Sequence, residues 1–335
     1  MPSAPTNRQQ GFFFGGDGLR AGWSILLFLV LASITGAVAA PLVAHLLPHP
    51  PAAAHGGSLT LTPRIEIVSE LLEFGIVLLP ALLMSLIERR PFASYGLKRM
   101  RAFRDLLHGL FWGWISLSVL VGALWLTHGI AFDGIALRGP AAWGYAGLWA
   151  VGFLLVGLAE EFSFRGYLQF TATRGLTGLI RTVAPGSSHA YSIAFWMTAS
   201  VLSAGLFMGA HLLNGGETPV GIAMVGLAGL VFAFALYRTG SLWWGIGMHS
   251  AWDWAQSFFY GTPDSAAMAS PHLLATHPIG ARMLSGGSDG PEGSVLGIPV
   301  LLLVALVIHL TLPRRADALA AMEADAAREP AGSAI

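Results

Sequence analysis

Two adjacent glutamates occupy an otherwise apolar run, Leu154-Leu155-Val156-Gly157-Leu158-Ala159-Glu160-Glu161-Phe162-Ser163-Phe164-Arg165-Gly166. Charge at membrane depth costs about 2.5–3.5 kcal/mol per residue on insertion scales, so ionisable groups there tend to be functional. On a helix, Glu161 and Arg165 are four apart, share a face and can neutralise one another. Glu160 is rotated about 100° from Glu161 and needs a partner from another helix. Two further polar sites lie in apolar runs: His211, closing Phe207-Met208-Gly209-Ala210-His211, and the pair His249 and Asp253, again four apart. A carboxylate and two imidazoles converging in a dry pocket can activate water. The glutamate would act as general base, and the imidazoles would hold the water or donate to a developing oxyanion. That set suits a hydrolase of acyl groups, peptides foremost. Two histidines and a carboxylate, here Glu160, His211 and His249, also make a zinc ligand set. The zincin signature H-E-x-x-H does not occur, and there is no cysteine to serve as nucleophile or thiolate ligand. The bland alternative is that the glutamates only lock helices together.

The elements that must position these groups are membrane spans. The chain has 335 residues, 54% hydrophobic and 11% charged, against about 25% charged in ordinary soluble domains. Net charge is zero, which gives no sign of a nucleic-acid partner. Eight apolar stretches approach the length needed to cross about 30 Å of hydrocarbon, near 21–47, 66–87, 106–128, 144–172, 193–212, 219–237, 241–260 and 295–312. The expected fold is therefore all-α, a polytopic membrane helical bundle. Pro- and Gly-rich breaks separate several of the spans.

Lys and Arg asymmetry orients the bundle. With both termini cytoplasmic, the inner face holds Arg8, Arg20, Arg89, Arg90, Lys98, Arg99, Arg101, Arg104, Arg174, Arg181, Arg238, Arg314, Arg315 and Arg328. The outer face holds only Arg64, Arg138 and Arg282, and Arg165 lies within a span. Ala37-Val38-Ala39 resembles a signal-peptide cleavage site, but apolar character continues through Leu47, which favours a retained span.

The expected organisation is a disordered tail over 1–20, N-terminal spans over 21–142, and a core over 143–260. An extracytoplasmic loop without a core of its own follows over 261–294, then a last span over 295–312 and a cytoplasmic tail over 313–335. Measured from the cytoplasmic ends at 1.5 Å per residue, Glu160 lies about 21 Å in, His211 about 24 Å and His249 about 12 Å. These depths permit convergence without demanding it.

Glu160-Glu161-x-x-x-Arg165, Phe207-x-x-x-His211 and His249-x-x-x-Asp253 together resemble the three-motif pattern of the CAAX-protease and bacteriocin-processing (Abi) membrane family, whose eukaryotic relatives are the type II CAAX prenyl endopeptidases. Tyr237-Arg238-Thr239-Gly240-Ser241-Leu242-Trp243 is similar to that family too, and the resemblance covers about 145–258. It implies Glu160 as general base with His211 orienting the water. It implies Glu161 paired to Arg165 as a structural unit, and His249 with the residue four beyond it at the oxyanion. That last residue is often Asn in the family and is Asp253 here. An ionised Asp cannot donate, so Asp253 is either protonated or orients His249.

The resemblance implies an endopeptidase of membrane-associated or lipid-modified peptides, with no cofactor required and zinc as the rival arrangement. The stretch from Gly175 to Tyr191 looks like surplus chain and is expected as a cytoplasmic loop. A scaffold or bacteriocin-immunity factor of the same fold, and a proton-coupled transporter, remain as different classes. The transporter would call for internal repeats, and none is evident. Few lysines and abundant Ala, Gly and Arg suggest a bacterial inner-membrane protein. Glu66, Glu70 and Glu73 share one face of the second span and are expected to bond between helices near the outer interface. Trp112, Trp114, Trp143, Trp149, Trp243 and Trp244 are expected as interfacial anchors.

Overall fold

A computed structural model describes residues 11–15, 18–46, 59–212 and 218–313. The expected tail over 1–20 falls partly outside these residues, and where described it forms a short hairpin, β1 (Phe14–Gly15) with β2 (Gly18–Leu19). All but Pro313 of the tail over 313–335 lies outside the described residues.

The chain is an all-α membrane bundle. The first helices are α1 (Ala21–Leu46), α2 (Pro63–Glu88), α3 (Ala102–Leu126) and α4 (Pro140–Glu161). A π-helical stretch, Phe162–Leu168, joins α4 to α5 (Gln169–Val183). Next come α6 (Ala190–Ser200), a second π stretch at Val201–Phe207, and the short α7 (Met208–His211). The chain continues through α8 (Pro219–Thr239) and α9 (Trp243–Asp253) into a third π stretch, Trp254–Phe259. After α10 (Arg282–Ser285) it ends its described course in α11 (Gly297–Thr311).

Among the described residues six helical segments are long and apolar enough to cross a bilayer, and α11 is a shorter apolar helix. The seventh expected span, near 241–260, is α9 with its π continuation. Helix starts follow local chemistry. Thr62 and Thr218 cap α2 and α8 by accepting from Ile65 N–H and Gly221 N–H, with proline in the first turn of each. Gly240, at φ 67°, closes α8 and donates its N–H to Leu236 O.

The stretch from Gly175 to Tyr191 is not mainly loop. Its first half is the end of α5, a strongly amphipathic helix that buries Gln169, Thr171, Thr173 and Thr177. Polar residues on its inward face leave this helix without the continuous apolar run that marks a span.

The segment over 261–294 also differs from expectation, because it is packed against the bundle. β5 (Ala267–Ala269) pairs in parallel with β3 (Leu59–Leu61), and β6 (Leu274–Pro278) pairs antiparallel with β4 (Ile130–Ile135). The Asp289 carboxylate accepts from Thr218 N–H and Oγ1 at 2.9 and 2.6 Å, and Trp149 Nε1 donates to Pro271 O at 2.9 Å. Pairing partners drawn from distant loops gave no local signal. Trp149 and Trp244, expected at interfaces, are fully buried.

The tightest helix pair is α3 with α9, packed through small residues. A Cβ added at Gly109 would sit 2.2 Å from Trp244 O, and one at Gly113 would sit 2.2 Å from Met248 O. Close backbone approach of this kind is how membrane helices associate without a hydrophobic drive between them. Backbone cannot yield as a flexible side chain does, so Gly113→Leu is expected to destabilise by about 3 kcal/mol. Gly122 has open space around it, and Gly122→Ala should be neutral. Thermal unfolding of both variants in detergent measures the difference.

Candidate active site

Each polar motif abuts a π-helical stretch: Glu160 and Glu161 precede one, His211 follows one, and Asp253 precedes one. A π turn widens the helix and re-aims side chains, and such turns gather at functional sites. The first also carries a kink, with Gly166 at φ −79°, ψ −109°. Glu161 reaches into α9 across Gly245, where an added Cβ would lie 3.2 Å from Glu161 Oε2.

His249 is the centre of the arrangement. Its Nδ1 lies 3.2 Å from Glu161 Oε1, and its Nε2 lies 3.6 Å from Glu160 Oε2 and 3.5 Å from Asp253 Oδ2. The ring stacks on Phe232, 5.2 Å between centroids. Arg165 Nη1 donates to Glu161 Oε1 at 2.6 Å, and both side chains are 1% exposed. The guanidinium lies over the Phe207 and Phe232 rings, 4.7 and 5.4 Å from their centroids. Glu161 therefore bridges Arg165 and His249. Its partner is not Arg165 alone, as helical spacing by itself had suggested.

His211 Nδ1 lies 3.0 Å from Phe207 O. A carbonyl oxygen only accepts, so Nδ1 carries the proton and Nε2 is left to accept.

Glu160, His211, His249 and Asp253 line one cavity of about 360 Å³. Glu161 and Arg165 form its buried support and do not line it. Asp253 is placed beside the His249 ring, its Oδ2 3.5 Å from Nε2. Glu66 and Glu70 line the same cavity, so the second span contributes to the site and not only to helix bonding. Asp264 and Glu292, from the packed outer segment, line it as well. Burial pushes the Asp264 carboxyl above the usual range, against the lowering effect of a hydrogen bond donated by Ser257 Oγ at 2.8 Å.

The spacing of Glu66 and Glu70 marks one helix face, but nothing in the sequence says which neighbour that face meets. Asp264 and Glu292 sit in a segment with no periodic pattern, so no sequence signal marked them.

The zinc alternative meets a difficulty in the donors themselves. Both His249 nitrogens face carboxylates, and among the described residues no group of three His, Asp or Glu side chains is placed to hold a metal ion. The serine-hydrolase spacing G-x-S-x-G does occur, at Gly286-Gly287-Ser288-Asp289-Gly290. It lies in short turns of the outer segment and lacks the strand-to-helix turn that the nucleophile elbow requires.

Residues 142–255 match the family model described as type II CAAX prenyl endopeptidase Rce1-like. That stretch contains Glu160, Glu161, Arg165, His211, His249 and Asp253. Comparisons with curated proteins and with solved structures give no match.

Arg165→Met would leave Glu161 as a buried, half-compensated charge, and breaking a buried pair from one side costs about 3–5 kcal/mol. The double variant Glu161→Gln with Arg165→Met should recover most of that loss. Chemical unfolding of the parent protein and the two variants in one detergent measures it.

Proposed function

We propose that this chain, a member of the CAAX-protease family through residues 142–255, is an intramembrane endopeptidase that cuts membrane-associated peptides with glutamate-activated water. The observation that carries the reading is the convergence of Glu160, His211, His249 and Asp253, from three separate helical segments, on a single cavity. Of the three carboxylates around His249, Glu160 has the most accessible side chain, 24% against 1% for Glu161 and 9% for Asp253. It is the one a water can reach.

The reaction divides among these groups as follows. His211 Nε2 and Glu160 hold the water, and Glu160 takes one of its protons as the oxygen attacks the peptide carbonyl carbon. The tetrahedral oxyanion accepts a hydrogen bond from the His249 Nε2–H, which in the free protein faces Glu160 and Asp253. Asp253 and Glu161 fix the ring from either side. Glu160 returns its proton to the amide nitrogen, the C–N bond breaks, and the products leave as a carboxylate and an ammonium, the second water proton having passed from the new carboxyl group to the amine. A preorganised donor at the oxyanion and a positioned base are the two terms that matter most in such a step. Prenylated peptides are the first substrate class to try, because that is what the matched family is named for.

Glu160→Gln keeps the shape and removes the base. It is expected to lower hydrolysis of a farnesylated peptide by about 100-fold or more, with thermal stability close to wild type and no sensitivity of the parent enzyme to chelators. Cleavage is read by mass spectrometry on purified protein with farnesylated and unmodified peptides. Wild-type rates in both Glu160→Gln and His211→Ala would overturn the mechanism.

A further inference from the structure

A second cavity, of about 410 Å³, lies at the end of the bundle that the basic residues assign to the cytoplasm. Its character is opposite to that of the first. Among the described residues, the first is lined by six Asp and Glu side chains and by no Lys or Arg, whereas this one is lined by Lys98, Arg165, Arg174, Arg181 and Arg238 and by no Asp or Glu. Arg174 pairs with Glu88 at 3.6 Å from outside the lining, and Arg238 donates to the His309 and Leu312 carbonyls. Arg181 is exposed at the rim.

A buried amide adds an independent observation. Gln169 is 1% exposed and lines this cavity, yet among the described residues neither its Nε2 nor its Oε1 has a hydrogen-bond partner. The Nε and Nη2 of Arg165 lack a hydrogen-bond partner as well. Unsatisfied buried donors cost free energy, and in native structures they call for a specific reason such as a bound ion. Of these atoms, Gln169 Nε2 is a donor on the wall of a basic cavity, and the ligand that matches it and the surrounding cations is an oxyanion.

The surroundings favour a lipid-borne one. α5 turns its Thr173, Thr177 and Arg174 toward the cavity and leaves Leu179 and Val183 59% and 78% exposed on its other side. An amphipathic helix with its polar face inward and its apolar face outward suits a lipid environment. Basic cavities between helices on the cytoplasmic side are built to take anionic head groups.

We propose that this cavity binds a phosphate oxyanion, presented by the head group of an anionic phospholipid. The site is separate from the cavity assigned to peptide hydrolysis, and the inference does not use that assignment.

The experiment uses the full chain, purified in a neutral detergent. Thermal stability and lipid adducts in native mass spectrometry are measured with phosphatidylglycerol, with phosphatidylcholine and with inorganic phosphate. Phosphatidylglycerol is expected to raise the unfolding temperature and to form a one-to-one adduct, and phosphatidylcholine to do neither. Arg181→Gln should weaken the phosphatidylglycerol effect about fivefold, the worth of one basic group near such a surface. Gln169→Leu should weaken it as well while leaving the lipid-free protein as stable or more so, because the leucine has no amide to leave unsatisfied. Arg99→Gln, at the same end but outside the cavity, should change nothing. A comparable shift with inorganic phosphate that the same variants remove would support the oxyanion site and assign it to a free anion. Equal stabilisation by both lipids, or an unchanged phosphatidylglycerol effect in Arg181→Gln and Gln169→Leu, would overturn the proposal.

Discussion

The arrangement around His249 depends on how the charge of Glu161 is held inside the bundle. One carboxylate serves two helices: Oε1 takes a 2.6 Å bond from Arg165 on its own chain segment and lies 3.2 Å from His249 on α9. A buried ion pair is a poor source of net stability, because desolvating both groups offsets much of their attraction. Its value lies in fixing geometry. With Glu161 anchored by Arg165, the His249 ring has one orientation, and its Nε2 must face Glu160 and Asp253. Phe207 and Phe232 complete the cage, the former over the guanidinium and the latter over both cation and imidazole.

Close helix packing makes that cage possible. α9 is pressed against α3 through Gly109 and Gly113, and it meets α4 where Gly245 admits the Glu161 side chain. In lipid, where apolar surface gains little by facing other helices, such contacts and a few interhelical polar bonds supply the association. The outer segment then closes the other side. Strand pairing to β3 and β4, with Asp289 bound at the start of α8, brings Asp264 and Glu292 to the cavity wall. The two cavities have linings of opposite sign, and Arg165 of the Glu161–Arg165 pair lines the second.

Most of the candidate residues that line or support the cavity were legible because they violate their surroundings. Glu160, Glu161, Arg165, His211, His249 and Asp253 are polar groups in apolar runs, and a bilayer makes each costly enough to demand a reason. The spans were legible for the complementary reason, since length and hydropathy alone define them. The misread parts share one cause. The polar inward face of α5, the buried Trp149 and Trp244, and the folded segment over 261–294 all take their environment from elements remote in sequence.

The sequence by itself determined a polytopic helical bundle, the approximate course of its spans, and a short set of candidate polar residues, because these follow from local composition. Only the tertiary structure decided that Glu161 bridges to His249, that Glu66, Glu70, Asp264 and Glu292 join the same cavity, and that a basic cavity lies at one end of the bundle. Spacing along one helix fixes which groups share a face. Which helix that face meets is set by packing between helices, and no local pattern encodes it.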